Sequence, residues 1–333
     1  IRRAVAEPVT LLGMRLEMSC SMGVAAYPEH ASDAATLLAY ADAAMYEAKE
    51  SGRDGLKHFT RAMAERTRQK LAGTEEMRRA LREEEFVLHY QPQINQRTGA
   101  VIGAEALVRW QHPERGLISP GEFIPLAEEN GLIVPLGRWI LREACRQCAR
   151  WVADSARDFT VSVNVSARQF REKTIIADVA DALSDAGLSP KNLELEITES
   201  LIMQDLSLAI ELMRELEAMG VTLSIDDFGT GYSSLAALKR LPVAKLKIDR
   251  SFIADIPADS DSAALTSAII TVARALGLKI IAEGVELREQ IDFLLESGCD
   301  HIQGFFVARP LPAAQMSAFV ADRHPQVQTA AAC

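Results

Sequence analysis

From residue 86 onward, short β-rich runs alternate with helical stretches, and this alternation limits the fold to a few classes. Such strands form a parallel sheet, either closed into a TIM-type barrel or open and doubly wound. Eight runs within about 240 residues are typical of the TIM-type (β/α)8 barrel, which we predict. No Gly-x-Gly-x-x-Gly follows a run, which disfavours the open sheet. The runs are 86–91, 101–108, 160–165, 193–198, 221–226, 245–249, 279–282 and 301–305.

The first connection of the predicted barrel differs from the later ones. Residues 93–100 contain Gly99 and have the length and composition of a hairpin turn. We therefore predict that the first strand is antiparallel to the second. The later connections carry predicted helices at 136–152, 175–186, 206–219 and 263–276.

The residues before the barrel form a separate α+β fragment and a linker. Residues 1–59 contain two predicted strands, 9–16 and 17–26, and a predicted helix, 34–51. Residues 60–85 are highly charged and predict a solvent-exposed connecting helix, with a break at Gly73-Thr74. The predicted organisation is therefore a fragment (1–59), a linker (60–85), a barrel (86–322) and a tail (323–333).

Composition excludes some partners and compartments. The net charge of −10 disfavours a nucleic-acid polymer as a partner, because such binding needs a basic face. Five scattered cysteines suit a reducing compartment, so we expect a cytoplasmic protein. The chain begins with Ile1 inside an apparent domain, which suggests an upstream sensor or regulatory domain that could also anchor it to a membrane.

Polar residues end most of the predicted strands. In a TIM-type barrel the active site lies at the carboxyl ends of the strands. Carboxylate and amide oxygens in that position suit Mg²⁺ or Mn²⁺ better than zinc. The alternative is a ring of salt bridges around the barrel rim. The residues are Glu105, Asn164, Glu196, Asp226, Asp227, Lys247, Glu283 and Gln303.

The stretch 226–235 follows the fifth of these runs and carries two adjacent carboxylates, Asp226 and Asp227. Adjacent carboxylates repel each other unless a cation lies between them. Gly229 and Gly231 allow a tight turn, and Ser233 or Ser234 can cap the next helix. The stretch is therefore either a metal platform or a solvated turn.

The motifs at these strand ends resemble those of the EAL-domain cyclic-di-GMP phosphodiesterases. The resemblance covers about residues 80–322. Its motifs, in the order of that family, are Glu105-Ala106-Leu107-Val108-Arg109-Trp110, Ser162-Val163-Asn164, Glu194-Leu195-Glu196-Ile197-Thr198-Glu199, Asp226-Asp227-Phe228-Gly229, Lys247-Ile248-Asp249, Glu283-Gly284-Val285-Glu286 and Gln303-Gly304-Phe305. Three further motifs lie in residues 1–59: Ser19-Cys20-Ser21-Met22-Gly23-Val24-Ala25, Ala41-Asp42-Ala43-Ala44-Met45-Tyr46-Glu47-Ala48-Lys49 and Gly52-Arg53. With these motifs, residues 1–59 resemble the last third of a GGDEF (diguanylate cyclase) domain. The signature of that family is absent from this chain, so cyclase chemistry is not expected.

The resemblance implies a metal site with two ions, Mg²⁺ or Mn²⁺. Glu105, Asn164, Glu196 and Asp226 would hold the first ion. Asp226 would bridge to the second ion, and Asp227 would complete that second site. Ca²⁺ is larger and takes more ligands, so we expect it to bind and to inhibit.

The resemblance also implies roles in catalysis and in substrate binding. Lys247 and Glu283 would hold and polarise the attacking water, and Glu105 would act with them. Arg109 would pair with a substrate phosphate, for which its forked donors are well shaped. Gln91 and Gln303 would contact the ligand.

Glu199 and Glu286 are implied to brace the loop that follows the fifth predicted strand. The implied reaction opens one phosphodiester bond of cyclic di-GMP (c-di-GMP) to give linear pGpG. One alternative is a module that binds c-di-GMP without hydrolysing it. Another is a different Mg²⁺ enzyme of TIM-barrel fold, such as an enolase-like lyase. The resemblance further suggests a homodimer through barrel helices near Asp226.

Overall fold

The computed structural model describes residues 1–11, 14–16, 18–52, 54–155, 159–172, 174–229 and 235–322. Contacts divide the chain into two units, with the boundary between Arg79 and Ala80. The predicted turn at Gly231, the predicted caps Ser233 and Ser234 and the tail 323–333 lie outside the described residues. Among the described helices, none combines the length and the apolar character that a bilayer-spanning helix needs.

The first unit contains short strands packed with one long helix. The predicted strand 9–16 is instead two short antiparallel strands, with Leu11 opposite Met14. Helix α2 begins after Asp33, whose carboxylate accepts a hydrogen bond from the Thr36 amide at 2.9 Å. The elements are α1 (Arg2–Val5), β1 (Val9–Leu11), β2 (Met14–Leu16), β3 (Met22–Val24), α2 (Ala34–Glu50), β4 (Leu56–His58) and α3 (Arg61–Arg82).

Helix α3 covers most of the predicted linker and crosses the boundary between the two units. The predicted break at Gly73-Thr74 is wrong, because the helix is continuous there. The Thr74 hydroxyl donates to the Lys70 carbonyl oxygen, at 2.7 Å, one turn earlier in the same helix. The hydroxyl is thus satisfied within the helix and caps no new one.

The second unit is built on a closed ring of eight strands. The ring order is β5, β6, β8, β9, β10, β11, β12 and β13, and β13 pairs with β5 to close it. Strand β5 is antiparallel to both neighbours, and the other ring pairs are parallel. Both the barrel and its antiparallel first strand are therefore confirmed. The strands are β5 (Phe86–Asn95), β6 (Val101–His112), β7 (Gly116–Ile118), β8 (Thr160–Asn164), β9 (Leu193–Thr198), β10 (Thr222–Phe228), β11 (Lys245–Ile248), β12 (Lys279–Ala282), β13 (His301–Ile302) and β14 (Leu311–Pro312).

Helices connect the parallel strands of the ring. Helix α7 has the predicted bounds, while α12 begins three residues earlier than predicted because Asp259 caps it through the Ser262 amide. The helices are α4 (Pro120–Asn130), α5 (Ile133–Ser155), α6 (Ala167–Arg171), α7 (Ile175–Ala186), α8 (Glu199–Gln204), α9 (Leu206–Ala218), α10 (Leu235–Leu238), α11 (Arg250–Ile253), α12 (Ser260–Ala275), α13 (Arg288–Ser297) and α14 (Ala313–Asp322). A 3-10 helix, Pro190–Asn192, precedes β9.

Charged side chains lie inside the barrel because they occupy alternate positions of two of its strands. Successive side chains of a strand face opposite sides. The apolar members of β9 and β11 are fully buried, as expected for strands covered by helices. Between them, at alternate positions, lie two carboxylates of β9 and two lysines of β11, which form two ion pairs. Glu194 and Lys245, 2.6 Å apart, form the lower layer, near the amino ends of the strands. Glu196 and Lys247, also 2.6 Å apart, form the upper layer, near the carboxyl ends.

Candidate active site

The ammonium group of Lys247 lies at the centre of a buried acidic cluster in the upper layer. Its Nζ is 2.6 Å from Glu196 Oε2, 2.6 Å from Glu283 Oε1 and 3.1 Å from Asp226 Oδ1. Glu105 Oε2 is 3.6 Å away. The lysine side chain is 1% exposed, so these carboxylates take the place of its water. The structure therefore brings four of the predicted carboxylates around the ammonium of a fifth predicted residue, Lys247.

The protonation of the cluster follows from burial and crowding. Burial disfavours the charged form of Lys247, but the carboxylates of Asp226 and Glu105 outweigh it and hold its pKa well above the usual value. Burial and the charge of Glu105 raise the pKa of Glu196. Burial, partly opposed by Lys247, raises the pKa of Glu283 to about 8. One ammonium thus does not balance all of the carboxylates.

A chain of side-chain amides holds Glu105. Asn164 Nδ2 donates to Glu105 Oε1 at 2.6 Å, and Gln303 Nε2 donates to Glu105 Oε2 at 2.5 Å. Gln303 also donates to Gln91 Oε1 at 3.1 Å and accepts from Gln93 Nε2 at 3.0 Å. Burial opposes ionisation of Glu105, but Lys247 and these amides outweigh it and hold its pKa below the usual value.

Gln93 is a member of this amide chain that the sequence analysis missed. Gln93 is 1% exposed and lies two residues after Gln91 on β5. The strand period of two places both side chains on the same side of β5. The two-residue spacing from Gln91 is therefore the sequence signal that could have identified Gln93.

Asp226 and Asp227 lie at a bulge in β10. In a regular strand adjacent side chains face opposite sides, so only one of the two could point into the cluster. The pairing of β10 with β11 shifts register between Ile225 and Phe228, and Asp227 adopts a left-handed φ of 52°. Aspartate tolerates this conformation better than most residues. The bulge lets oxygen atoms of Asp226, Asp227 and Glu283 lie within 4.8 Å of one another.

These residues fit a divalent cation. Among the described residues, the buried oxygens Glu196 Oε1 and Asp226 Oδ1 have no hydrogen-bond partner. The 3.1 Å contact between Asp226 Oδ1 and Lys247 is an ion pair without hydrogen-bond angles. Burial and the charge of Asp226 raise the pKa of Asp227, as expected for carboxylates crowded without a cation. Carboxylate oxygens of this kind are the ligands that Mg²⁺ and Mn²⁺ prefer.

Glu199 holds the start of the loop after β10. Its Oε2 accepts a hydrogen bond from the Gly229 amide at 3.0 Å, and Glu199 is 2% exposed. Gly229 has a φ of +100°, and a Cβ there would lie 2.8 Å from the Phe252 ring. Glu286 instead forms a partly exposed ion pair, 3.4 Å long, with Arg250.

We expect Gly229→Ala to destabilise the protein and to weaken metal binding next to it. Alanine at positive φ costs more than about 1 kcal/mol, and here its Cβ also meets Phe252. The matched control is Gly187→Ala, which has a φ of +61° and no atom within 4 Å of a built Cβ. Melting temperature and Mn²⁺ calorimetry should show a larger loss for Gly229→Ala. An Mn²⁺ affinity that is equal in both variants would contradict the role of this turn.

Two cavities flank the acidic cluster. One, of about 260 Å³, is mainly apolar and is lined by Leu107, Pro120 and Ile133, with Asn164 in its wall. The other, of about 210 Å³, is lined by Gln91 and Glu283 and by Arg250, Gly284, Glu286, Gly304 and Phe305. One cavity therefore borders Asn164, which holds Glu105, and the other borders Glu283 of the cluster.

Arg109 lies on the same strand as Glu105. The arginine is half-buried, and its Nη1 donates to the Val108 carbonyl oxygen at 2.8 Å. Burial lowers its pKa from the usual value, and Glu105 opposes this shift. A partly desolvated guanidinium is well suited to pair with a phosphate.

The sequence itself matches two known domain families. The sequence model of the EAL domain matches residues 74–310, most of this chain. The chain belongs to the EAL domain family. A model of the diguanylate cyclase GGDEF domain matches residues 1–55. Both resemblances seen in the sequence motifs are therefore confirmed.

Several EAL-domain relatives are closely similar to this chain. The bifunctional diguanylate cyclase/cyclic di-GMP phosphodiesterase MucR of Pseudomonas aeruginosa is 46% identical over 319 residues, which are 96% of this chain and 47% of MucR. The cyclic di-GMP phosphodiesterase PdeR of Escherichia coli is 44% identical over 295 residues, 89% of this chain and 44% of PdeR. The chain therefore spans about half the length of the curated relatives it matches.

A solved structure also matches the second unit. The structure of the PaMucR phosphodiesterase in complex with c-di-GMP aligns with a TM-score of 0.72 and 50% identity. The alignment covers 74% of this chain and 99% of the PaMucR chain. The EAL barrel is therefore matched over the whole length of that structure.

Proposed function

We propose that this chain is a metal-dependent phosphodiesterase that hydrolyses c-di-GMP to linear pGpG. The observation that carries the proposal is the buried contact of Lys247 with Glu196, Asp226 and Glu283 at the carboxyl ends of an EAL barrel. The complex of PaMucR with c-di-GMP, at 50% identity, supports this substrate. The two cavities beside the cluster suit a ligand with two bases.

The donor set supports two divalent ions. Glu105, Asn164, Glu196 and Asp226 would hold one ion, and Asp226 and Asp227 would hold the other. The cluster has five carboxylates and one ammonium, so full ionisation leaves an excess of four negative charges that two divalent ions would neutralise. When bound, such ions neutralise the phosphodiester charge and acidify water. Oxygen ligands favour Mg²⁺ or Mn²⁺.

Protein groups would position the water and the substrate. Lys247 Nζ forms an ion pair with Glu283 Oε1 over 2.6 Å, so the two groups can orient a water and take up its proton at the Glu283 carboxylate. Arg109 would pair with a phosphate oxygen. Gln91 and Gln303, already joined by a 3.1 Å hydrogen bond, would contact the nucleotide. Glu199 and Glu286 would brace the loop that follows β10, the fifth predicted strand.

Asp227→Asn should raise the Mg²⁺ concentration needed for half-maximal hydrolysis by at least about tenfold. Asparagine keeps the shape and tolerates the left-handed φ of 52°, so backbone strain does not change. Only one ligand charge is lost. The measurement is pGpG formation against Mg²⁺ concentration. If the variant needs the same Mg²⁺ concentration as the unmodified protein, Asp227 holds no metal.

Metal binding should release protons near pH 7. The pKa of Glu283 is about 8, and the pKa values of Glu196 and Asp227 are also raised, so the metal-free cluster retains protons at pH 7. Raised carboxyl pKa values mean that metal affinity increases as pH rises through about 8. Calorimetry in buffers of different ionisation enthalpy measures the release. If metal binding released no protons at pH 7, the inference that the crowded carboxylates retain protons without metal would be wrong.

Product analysis tests the function directly. The chain is incubated with c-di-GMP and Mg²⁺, Mn²⁺, Ca²⁺ or EDTA, and the products are separated by chromatography. We expect pGpG with Mg²⁺ or Mn²⁺ and none with EDTA, while Ca²⁺ should allow binding without turnover. Binding without product in saturating Mg²⁺ would instead indicate a c-di-GMP receptor. The homodimer stays a prediction, which sedimentation velocity would test.

A further inference from the structure

The amino-terminal end of the barrel holds a cavity of about 400 Å³. Its walls include the first residues of several strands, at the opposite strand ends from the Lys247 cluster. These residues are Thr160, Thr222, Lys245, Lys279 and His301. The cavity adjoins the lower layer, in which Glu194 pairs with Lys245. The proposed hydrolysis uses none of these groups.

The cavity has an excess of positive charge in a chain whose net charge is −10. Lys191, Lys245 and Lys279 line it, against the single carboxylate of Glu194. Lys245 and Lys279 are direct register partners on β11 and β12, where like charges repel each other. Burial and the charge of Lys245 hold the pKa of His301 below its usual value. An anion in the cavity would relieve this repulsion.

Two buried polar atoms of the cavity walls lack a partner. Among the residues that the structure describes, neither Glu194 Oε1 nor His301 Nδ1 has a hydrogen-bond partner. Glu194 is 1% exposed, and Lys245 contacts only its other oxygen, Oε2. A buried acceptor left unpaired costs about 1–3 kcal/mol. The occupant that fits best therefore brings a hydrogen-bond donor together with its negative charge.

We propose that this cavity binds inorganic phosphate. Hydrogen phosphate is an anion for Lys245 and Lys279, and its P–OH group can donate to Glu194 Oε1. Sulfate has the same shape but carries no proton at neutral pH, so its oxygen would face the carboxylate without a donor. A phosphate monoester loses its last P–OH proton near pH 6 and has the same disadvantage at pH 7.5.

The test is calorimetric titration of the full chain with phosphate, sulfate and methyl phosphate, a monoester without a base, at pH 7.5 and constant ionic strength. EDTA is present so that no divalent ion binds phosphate at the other end of the barrel. We expect phosphate to bind at least about tenfold more tightly than sulfate or methyl phosphate, which corresponds to one hydrogen bond to a charged group. Glu194→Gln should abolish this preference, because the amide can donate to sulfate.

Lys279→Ala changes an exposed residue and keeps the test informative if Glu194→Gln does not fold. It should weaken phosphate binding about fivefold or more, as expected for the loss of one charge-assisted contact. The matched control is Arg288→Ala, which removes one positive charge from an exposed ion pair of the same unit and should leave phosphate binding unchanged. Four outcomes would each overturn the proposal: equal affinity for phosphate and sulfate, equal affinity for phosphate and methyl phosphate, equal loss in the two variants, or no binding.

Discussion

Lys247→Met should abolish hydrolysis and lower the free energy of unfolding of the metal-free protein by about 3–5 kcal/mol. The ammonium contacts three carboxylates at 2.6–3.1 Å and is 1% exposed. Methionine fills similar space but leaves those carboxylates without their cation. Mg²⁺ should restore much of the lost stability, because it supplies positive charge to the same oxygens. Urea unfolding with EDTA and with Mg²⁺ measures both effects.

The matched control for this prediction is Lys245→Met. Lys245 makes an ion pair of the same 2.6 Å length in the lower layer, and it is also buried. This variant should lose stability too, but Mg²⁺ should restore less of the lost stability than it does in Lys247→Met. Rescue of Lys245→Met to the same extent, or pGpG formation by Lys247→Met, would contradict the role of Lys247.

Glu105→Gln should reduce turnover by about 10²–10³-fold while the fold is kept, a range typical for loss of one preorganised charge-stabilising group. Glu105 accepts hydrogen bonds from Asn164 and Gln303, at 2.6 and 2.5 Å. A glutamine there can be accommodated by rotation of the Asn164 amide, so no cavity forms. The substitution removes only the negative charge that attracts the metal and the ammonium of Lys247.

The measurements for Glu105→Gln are turnover, melting temperature and c-di-GMP binding in EDTA. We expect a melting temperature close to that of the unmodified protein and retained nucleotide binding. A collapse of the melting temperature would support a salt-bridge ring around the barrel rim instead. Turnover within tenfold of the unmodified protein would show that Glu105 does not hold the catalytic metal.

Much of the barrel could be predicted because its signals are local. The alternation of runs and helices predicts the eight-stranded ring, and Gly99 marks the hairpin that makes β5 antiparallel. The errors lie where local signals conflict. Gly73 costs a helix only about 1 kcal/mol, so α3 continues through it. Residues 9–16 contain Gly13, an overlooked sign that they do not form one continuous strand.

The sequence predicts which residues form the site but not how their side chains are arranged. Strand ends predict which polar groups meet, and Lys247 does contact Glu196, Asp226 and Glu283. The sequence does not show that a bulge turns Asp227 to the same side as Asp226, since a regular strand would separate them. The lower layer was also missed, because the active site of a TIM-type barrel is expected at the carboxyl ends of the strands, whereas Glu194 and Lys245 lie nearer the amino ends.

The central claim is that this acidic cluster holds two divalent ions and hydrolyses c-di-GMP with them. The most direct test measures Mn²⁺ bound per chain and pGpG formed per chain in the same samples, across a titration of Mn²⁺ into metal-free protein. We expect no product without metal and turnover that rises as the second ion binds. Product formed in EDTA, full turnover with one ion per chain, or two bound ions without pGpG would contradict it.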